Sequence, residues 1–313
     1  MSTQRPSARV ESNMPNTPKN TGLSRKSAND SHDDQLRTTS SSRHYITAAQ
    51  LERINSKLID RERSILKDIG RLGTASGRQL ERLHFGSSSS DRRSARLALS
   101  ALVASQVLQR LTRSVGGTRA GSKGYVYALG LAGQRILNPN KQRYRPPWTP
   151  QPSYLRHALS VSDLYVQLRE TERDQSLELE AYDTEPKCWR SFAGPGGSMA
   201  TLKPDAFATL YQGDFEDRYF IEVDLGTEDG TRLLTKARTY LRYYQSGKEQ
   251  EACGVFPLVL WVTHTPERAS FIEKTMQRLK PAEQKLFATC TRDDFVTAIT
   301  TNALIAPPKE VNP

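Results

Sequence analysis

Apolar positions along this chain fall into three regimes. Residues 1 to 44 are rich in Ser, Thr, Asn, Pro and charge, with hardly any aliphatic side chain. Such a segment buries too little surface to offset chain entropy, so a disordered tail is expected. From about residue 45 the spacing turns helical. Leu58, Ile65, Leu66, Ile69 and Leu72 recur at intervals of three, four and seven, which predicts one apolar stripe on a helix ending near Gly73. Thr74 or Ser76 can cap a second short helix holding Leu80 and Leu83, and Ser87 to Ser90 with Asp91 offer caps for a third, whose Leu99, Leu102 and Val103 face inward. Residues 108–113 and 124–129 are β-prone runs flanking Gly116, Gly117, Gly121 and Gly124, the pattern of a hairpin. Three helices and a hairpin predict an N-terminal winged-helix domain over 45–137.

A third regime begins after Pro139, Pro146, Pro147, Pro150 and Pro152, which cluster around Trp148. Proline cannot continue a helix or a central strand, so 138–153 is expected to be a stiff linker that holds two domains apart. Over 154–172, Leu155, Ala158, Leu159, Tyr165, Val166 and Leu168 predict a helix. Leu177, Leu179 and Ala181 then alternate with Glu178, Glu180 and Tyr182, the period of a half-buried strand. After a Gly- and Pro-containing loop from 185 to about 200 come strands over 204–211 and 219–224. Next is a helix striped by Leu233, Ala237, Tyr240, Leu241 and Tyr244. The run 255–262 reads as a central strand covered on both faces, and 266–279 as a closing helix. The second domain, 154–304, is thus αβββαβ, the chain is α/β (α+β) in class, and 305–313 is a frayed tail.

Charge changes this picture. The net value of +11 hides a division: residues 45–150 carry 19 basic and 6 acidic residues, whereas 151–313 carry 19 and 24. A basic first domain suits a polyanion, which makes double-stranded DNA the expected partner. Arg92, Arg93 and Arg96 share a patch on the first turns of the third helix, where helix-turn-helix proteins enter a groove. Arg113, Arg119 and Lys123 lie at the hairpin tip, where such residues more often bind phosphate than read bases. A winged fold used for protein contacts is the other reading. Cys188, Cys253 and Cys290 are odd in number and widely spaced, which argues against a disulfide framework or a structural zinc. The start lacks an apolar leader, and the longest apolar run is too short to span a bilayer. A soluble, cytoplasmic protein is expected.

Candidate chemistry sits in the second domain. Pro204-Asp205 is followed seventeen residues later by Glu222-Val223-Asp224. On a strand Glu222 and Asp224 share a face about 7 Å apart, and Asp205 on a neighbouring strand brings a third carboxylate. Three such oxygens suit Mg²⁺ or Mn²⁺. The bland alternative is a solvated face with Asp205 capping a turn. Lys236 lies at the margin of its helix stripe, placed to reach the strand ends or to snorkel to solvent. His32, His44, His84, His157 and His264 are scattered, with no His-x-His, which disfavours a histidine-bound metal serving a tyrosine nucleophile. Tyr240, Tyr243 and Tyr244 still lie near enough to be candidates, and His157 reads as a packed or hydrogen-bonded residue.

These residues carry a resemblance. Asp205, Glu222 and a lysine on an αβββαβ frame resemble the site of PD-(D/E)xK, restriction-endonuclease-like nucleases. The winged module, His157-Ala-Leu-Ser-Val-Ser-Asp163, Lys203-Pro-Asp205-Ala and Glu222-Val-Asp224-Leu-Gly-Thr-Glu228 resemble the replication-relaxation family of mobile-element proteins over about residues 55 to 280. That family looks related to MobC-type plasmid relaxases. The resemblance implies that Asp205 and Glu222 bind a metal, that Asp224 assists them, and that Lys236 replaces the motif lysine, whose usual place is taken by Asp224. It implies a DNA-binding protein of a plasmid or mobile element, acting in replication, relaxation or mobilisation (conjugation) by metal-dependent nicking, with other replication or mobilisation proteins as partners. The alternative is a non-catalytic winged-helix replication or transcription accessory factor with a degenerate nuclease domain.

Overall fold

A computed structural model describes residues 46–111, 124–141, 143–144 and 150–301. The chain divides into units Met1–Tyr45 and Ile46–Pro313, and all described residues belong to the second. The expected tails, the centre of the expected linker around Trp148, and the hairpin tip with Arg113, Arg119 and Lys123 lie outside the described residues.

The stripe read as one helix is two, α1 (Ala48–Lys57) and α2 (Asp60–Leu72). Between them Leu58 and Ile59 are extended: the Leu58 amide donates to the Asn55 carbonyl, and the Ile59 amide to Glu62 Oε2 at 3.2 Å. These local bonds close one helix and open the next. Ile65, Leu66, Ile69 and Leu72 are buried on α2, which ends at Gly73 with φ +74°, a left-handed value that glycine adopts without a Cβ clash. β1 (Thr74–Ser76) leads into α3 (Gly77–His84), capped by Ser76 with Gln79, and Ser88 with Asp91 caps α4 (Ser89–Ala104). β2 (Leu108–Leu111) and β3 (Val126–Leu129) pair antiparallel, and β1 joins the other edge of β3. α5 (Leu131–Leu137), which no spacing announced, follows directly.

α6 (Pro152–Arg173) spans the predicted helix, although Ala158 and Leu159 are only half-buried. β4 (Glu178–Thr184) buries Leu179 as expected, then buries Tyr182 instead of Ala181. A bulge between Leu179 and Ala181 shifts the register by one residue, which exchanges the two faces. The predicted loop contains a hairpin of β5 (Arg190–Ala193) and β6 (Met199–Leu202). β7 (Ala206–Gln212) and β8 (Phe215–Asp224) are joined by Gly213 and Asp214. α7 (Gly230–Gln245) buries Tyr243, while Tyr244, expected inward, is 41% exposed. α8 (Lys248–Cys253) precedes β9 (Leu258–Thr263), which begins after the exposed Val255. Then come α9 (Pro266–Met276), α10 (Pro281–Gln284), β10 (Phe287–Thr291) and α11 (Phe295–Thr300). The large sheet has order β10-β9-β8-β7-β4, antiparallel among β4, β7 and β8 and parallel among β8, β9 and β10. The fold is mixed α/β.

One apolar core joins what the proline-rich stretch was expected to hold apart. It runs from Ile65, Ile69 and Leu80 through Tyr165 and Tyr182 to Ile221 and Leu260, with α6 at its centre. Polar bonds reinforce the junction. Ser162 Oγ donates to the Thr74 carbonyl at 2.8 Å, Gln79 Nε2 donates to the Leu159 carbonyl at 2.8 Å, and Arg82 pairs with Asp163 at 2.9 Å and Glu170 at 2.5 Å. Proline restricts its own backbone, but it does not prevent the following helix from packing on both neighbours. A second cluster, Phe220, Trp261, Leu233, Tyr240 and Ile272 among others, fills the space between the sheet and α7 and α9.

Candidate active site

β7 and β8 run antiparallel with Ala206 opposite Ile221, and the Asp205 amide donates to the Ile221 carbonyl at 3.1 Å. That register sets Asp205 beside Glu222 at one end of the strand pair. Glu222 is 1% exposed. Its Oε2 accepts from Lys236 Nζ at 2.8 Å and its Oε1 from the Tyr240 hydroxyl at 2.6 Å. Both donors come from α7, four residues apart on one helical face. Asp205 is 9% exposed, and its Oδ2 accepts from the Val223 amide at 2.7 Å and lies 3.1 Å from His157 Nε2 on α6.

Burial pushes the Glu222 carboxyl up to about 8, with the neighbouring Asp205 charge adding to it and Lys236 and Tyr240 opposing. For Lys236, burial acts to lower the ammonium value, but the charges of Glu222 and Asp205 outweigh it and hold the group above its usual range. His157 is raised in the same way: burial opposes, and contact with Asp205 prevails.

Asp224 sits on the same strand face and is drawn elsewhere. Arg268 on α9 grips it bidentately, Nε to Oδ1 at 2.7 Å and Nη2 to Oδ2 at 2.8 Å, and the Gly226 amide adds a bond to Oδ1 at 2.6 Å. Arg268 also donates to the Glu228 carbonyl at 2.5 Å, so it pins the turn leading into α7. Asp205, Glu222 and Lys236 are therefore brought together, whereas Asp224 has a counter-ion of its own. Among the described residues no group of three or more His, Cys, Asp and Glu side chains is arranged to hold a metal ion. Of the four oxygens of Asp205 and Glu222, Asp205 Oδ1 is the one outside the contacts above, since Lys236 and Tyr240 each take one from Glu222.

A cleft of about 520 Å³ lies beside this point, with His157, Asp224, Glu228, Lys236, Trp261 and His264 among its lining residues, while Asp205 and Glu222 lie behind that lining. Glu228 Oε2 and Trp261 Nε1 are buried with no hydrogen-bond partner among the described residues, and Glu228 Oε1 lies 3.7 Å from Lys236. Sequence reasoning did not select His157, Glu228 or Arg268 for the site. Glu228 had a signal, its place in the Glu222-to-Glu228 run, whereas nothing in the spacing joins Arg268 to Asp224. Tyr240 and Tyr243, entertained as nucleophiles, are buried with their hydroxyls bonded to Glu222 and Glu249. Arg92, Arg93 and Arg96 are exposed on the first turns of α4, far along the chain from the carboxylates, and Arg92 and Arg96 line a separate cleft.

A family model described as replication-relaxation matches residues 66–259, from within α2 to the start of β9, and so takes in both Asp205 and Glu222 but not Arg268. No match is found among curated proteins. Among solved structures, the restriction endonuclease FokI bound to DNA aligns at 14% identity and a TM-score of 0.25, covering 80% of this chain. The alignment spans 46% of the FokI chain, and a likeness at that score carries no weight for the fold.

Proposed function

The chain belongs to the replication-relaxation family, and we propose that it binds double-stranded DNA of a plasmid or other mobile element and nicks it, with one Mg²⁺ or Mn²⁺ at Asp205 and Glu222. On this reading α2, α3, α4 and the three-stranded sheet form a winged helix, and α6 to β9 form a PD-(D/E)xK-like nuclease core. One observation carries the proposal: a carboxylate 1% exposed, beside a second carboxylate, is held at 2.6 Å by a tyrosine and at 2.8 Å by a lysine that lines an open cleft. Burying a carboxylate at this cost, with its value pushed up to about 8, is the kind of arrangement that functional sites use.

When bound, the cation would polarise a phosphoryl oxygen and favour ionisation of an attacking water. The protein's own groups do the rest. Lys236, still 32% exposed, presents a fixed positive charge at the cleft mouth where negative charge develops on the phosphate. Tyr240 holds Glu222 in one rotamer, while His157 and the Val223 amide orient Asp205. Arg92, Arg93 and Arg96 supply the helix-borne groove contacts, with Arg113, Arg119 and Lys123 as wing contacts.

The test is nicking of supercoiled plasmid from the encoding element with Mg²⁺ or Mn²⁺, beside Asp205→Ala and Glu222→Ala. Metal-dependent nicking lost in both variants supports the proposal. DNA binding without cleavage, unchanged by either substitution, supports instead an accessory factor with a degenerate nuclease domain. The hold of Arg268 on Asp224, which takes the third expected carboxylate away from a cation, is the feature that favours that second reading.

A further inference from the structure

Three clefts open along α6. The helix gives Ser153, Arg156 and Ser160 to the candidate active-site cleft, Asp163 and Gln167 to a second of about 530 Å³, and Glu170 and Arg173 to a third of about 990 Å³. Successive members are three or four residues apart, so from Arg156 to Glu170 they keep to one side of the helix in a single stripe, while at about 100° per residue the end members Ser153 and Arg173 turn about 160° apart. The twenty residues from Ser153 to Arg173 span about 30 Å at about 1.5 Å each. The second and third clefts share Arg78 and Arg82. The first and second adjoin where the Arg292 amide bonds the Thr263 carbonyl at 2.7 Å, since Arg292 lines one and His264 the other. Arg92 and Arg96 of α4 line the third.

Charge along this path favours an anion. Arg82 bridges Asp163 and Glu170 and so offsets one of their two charges, and Arg78, Arg92, Arg96, Arg173 and Arg292 line the same two clefts. Arg78 and Arg156 are exposed, and the Arg292 side chain is 41% exposed, 3.6 Å from the still more exposed Asp293. Glu81 and Asp293 are the remaining carboxylates that face the two outer clefts.

We infer that the stripe of α6 is the floor of one continuous groove that carries a DNA duplex from α4 to the candidate active site, with Arg78, Arg292 and Arg156 contacting phosphates along the way. This rests on the DNA-binding reading proposed above. It adds a ruler: from Arg173 to Arg156 is seventeen residues, about 25 Å, or about seven base pairs at 3.4 Å each. A nick therefore falls about seven base pairs from the bases under α4.

The experiment measures binding of the full chain to a mixed-sequence duplex of about 24 base pairs over a salt series, using wild type, the pair Arg78→Ala and Arg292→Ala, the same pair changed to Lys, and a control pair Arg238→Ala and Arg242→Ala on the exposed side of α7. Each lost phosphate contact lowers the log–log salt slope by about 0.9, so the groove pair is expected to lower it by about 1.8. The Lys pair restores the slope and the control pair leaves it unchanged. An unchanged slope in the groove pair, or an equal drop in the control pair, overturns the groove while leaving DNA binding intact. A wild type that binds the duplex without salt dependence overturns the DNA reading and the groove with it.

Discussion

Glu222 and Lys236 meet at 2.8 Å beneath α7, the carboxylate 1% exposed and the lysine side chain 32%. Such a pair is not strong evidence for stability, because desolvation offsets much of the attraction, but removing one partner leaves a buried charge uncompensated. Lys236→Met is therefore expected to cost about 3 kcal/mol near pH 9. The sign follows from proton linkage. A carboxyl raised above its unfolded value keeps its proton longer in the native state, so stability falls as pH rises toward about 8, and further still without Lys236. Denaturant unfolding in EDTA between pH 6 and 9 should show the penalty growing with pH, and Glu222→Gln in the same background should remove that growth. A penalty independent of pH would show that Lys236 acts through packing alone.

Asp224 and Arg268 give a second expectation. Both carboxylate oxygens are held, and the guanidinium also bonds the Glu228 carbonyl, so the pair works as a clip between β8, α9 and the turn into α7. Arg268→Lys cannot reproduce a bidentate fork. It should lower stability nearly as much as Arg268→Ala, about 3 kcal/mol, and Asp224→Ala added to either should cost little more. If the two single losses add fully, the residues are not coupled and the clip is wrong.

How much of this was legible in the chain depends on range. Ser76 with Gln79, Ser88 with Asp91, and Gly73 are local signals, and each marks a real helix boundary. The alternation of β8 put Glu222 and Asp224 on one face. It did not reveal which cation each would meet, because Arg268 is 44 residues away from Asp224 and His157 is 48 from Asp205. The break at Leu58 was invisible for a different reason: Leu58 is buried in the same core, so the apolar period survives an interruption of the backbone. The shared core across α6 was likewise unreadable, since proline content reports on local backbone freedom and not on what the next helix packs against. The short β5, β6 and α5 have too few residues to show a period of their own.

A third expectation concerns the junction of α2, α3 and α6. The Tyr165 hydroxyl donates to Asp68 Oδ1 at 2.7 Å, Arg71 donates to that hydroxyl at 2.9 Å, and His84 Nε2 lies 3.1 Å from Asp68 Oδ2. Burial alone would raise the Asp68 carboxyl, but the contacts from His84 and Tyr165 outweigh it and hold it below the ordinary 3.8. A depressed carboxyl contributes stability above its unfolded value and loses it as pH falls through the native one. Asp68→Asn should then cost about 2 kcal/mol at pH 7 and progressively less below pH 4. Urea titrations across pH 3 to 7 test this, and a penalty that stays constant to pH 3 would remove the charge from the explanation.

The last expectation separates water from tyrosine as the nucleophile. Tyr240 is the tyrosine nearest the carboxylates, yet it is fully buried and its hydroxyl is a donor to Glu222 at 2.6 Å. Burial, followed by the Glu222 charge, raises its phenol well above the usual value, which disfavours the phenolate that attack on phosphorus requires. Its role is to orient Glu222, and Tyr240→Phe removes one donor without removing the carboxylate. Nicking by Tyr240→Phe should therefore persist at about one-tenth to one-hundredth of the wild-type rate. Wild-type reactions stopped in SDS should contain nicked DNA free of protein, with ends that a ligase or a phosphatase can process. A DNA-linked protein band that disappears in Tyr240→Phe would move the chemistry from hydrolysis to covalent transfer. It would also require α7 to shift, because the hydroxyl has no open path to the cleft while it bonds Glu222.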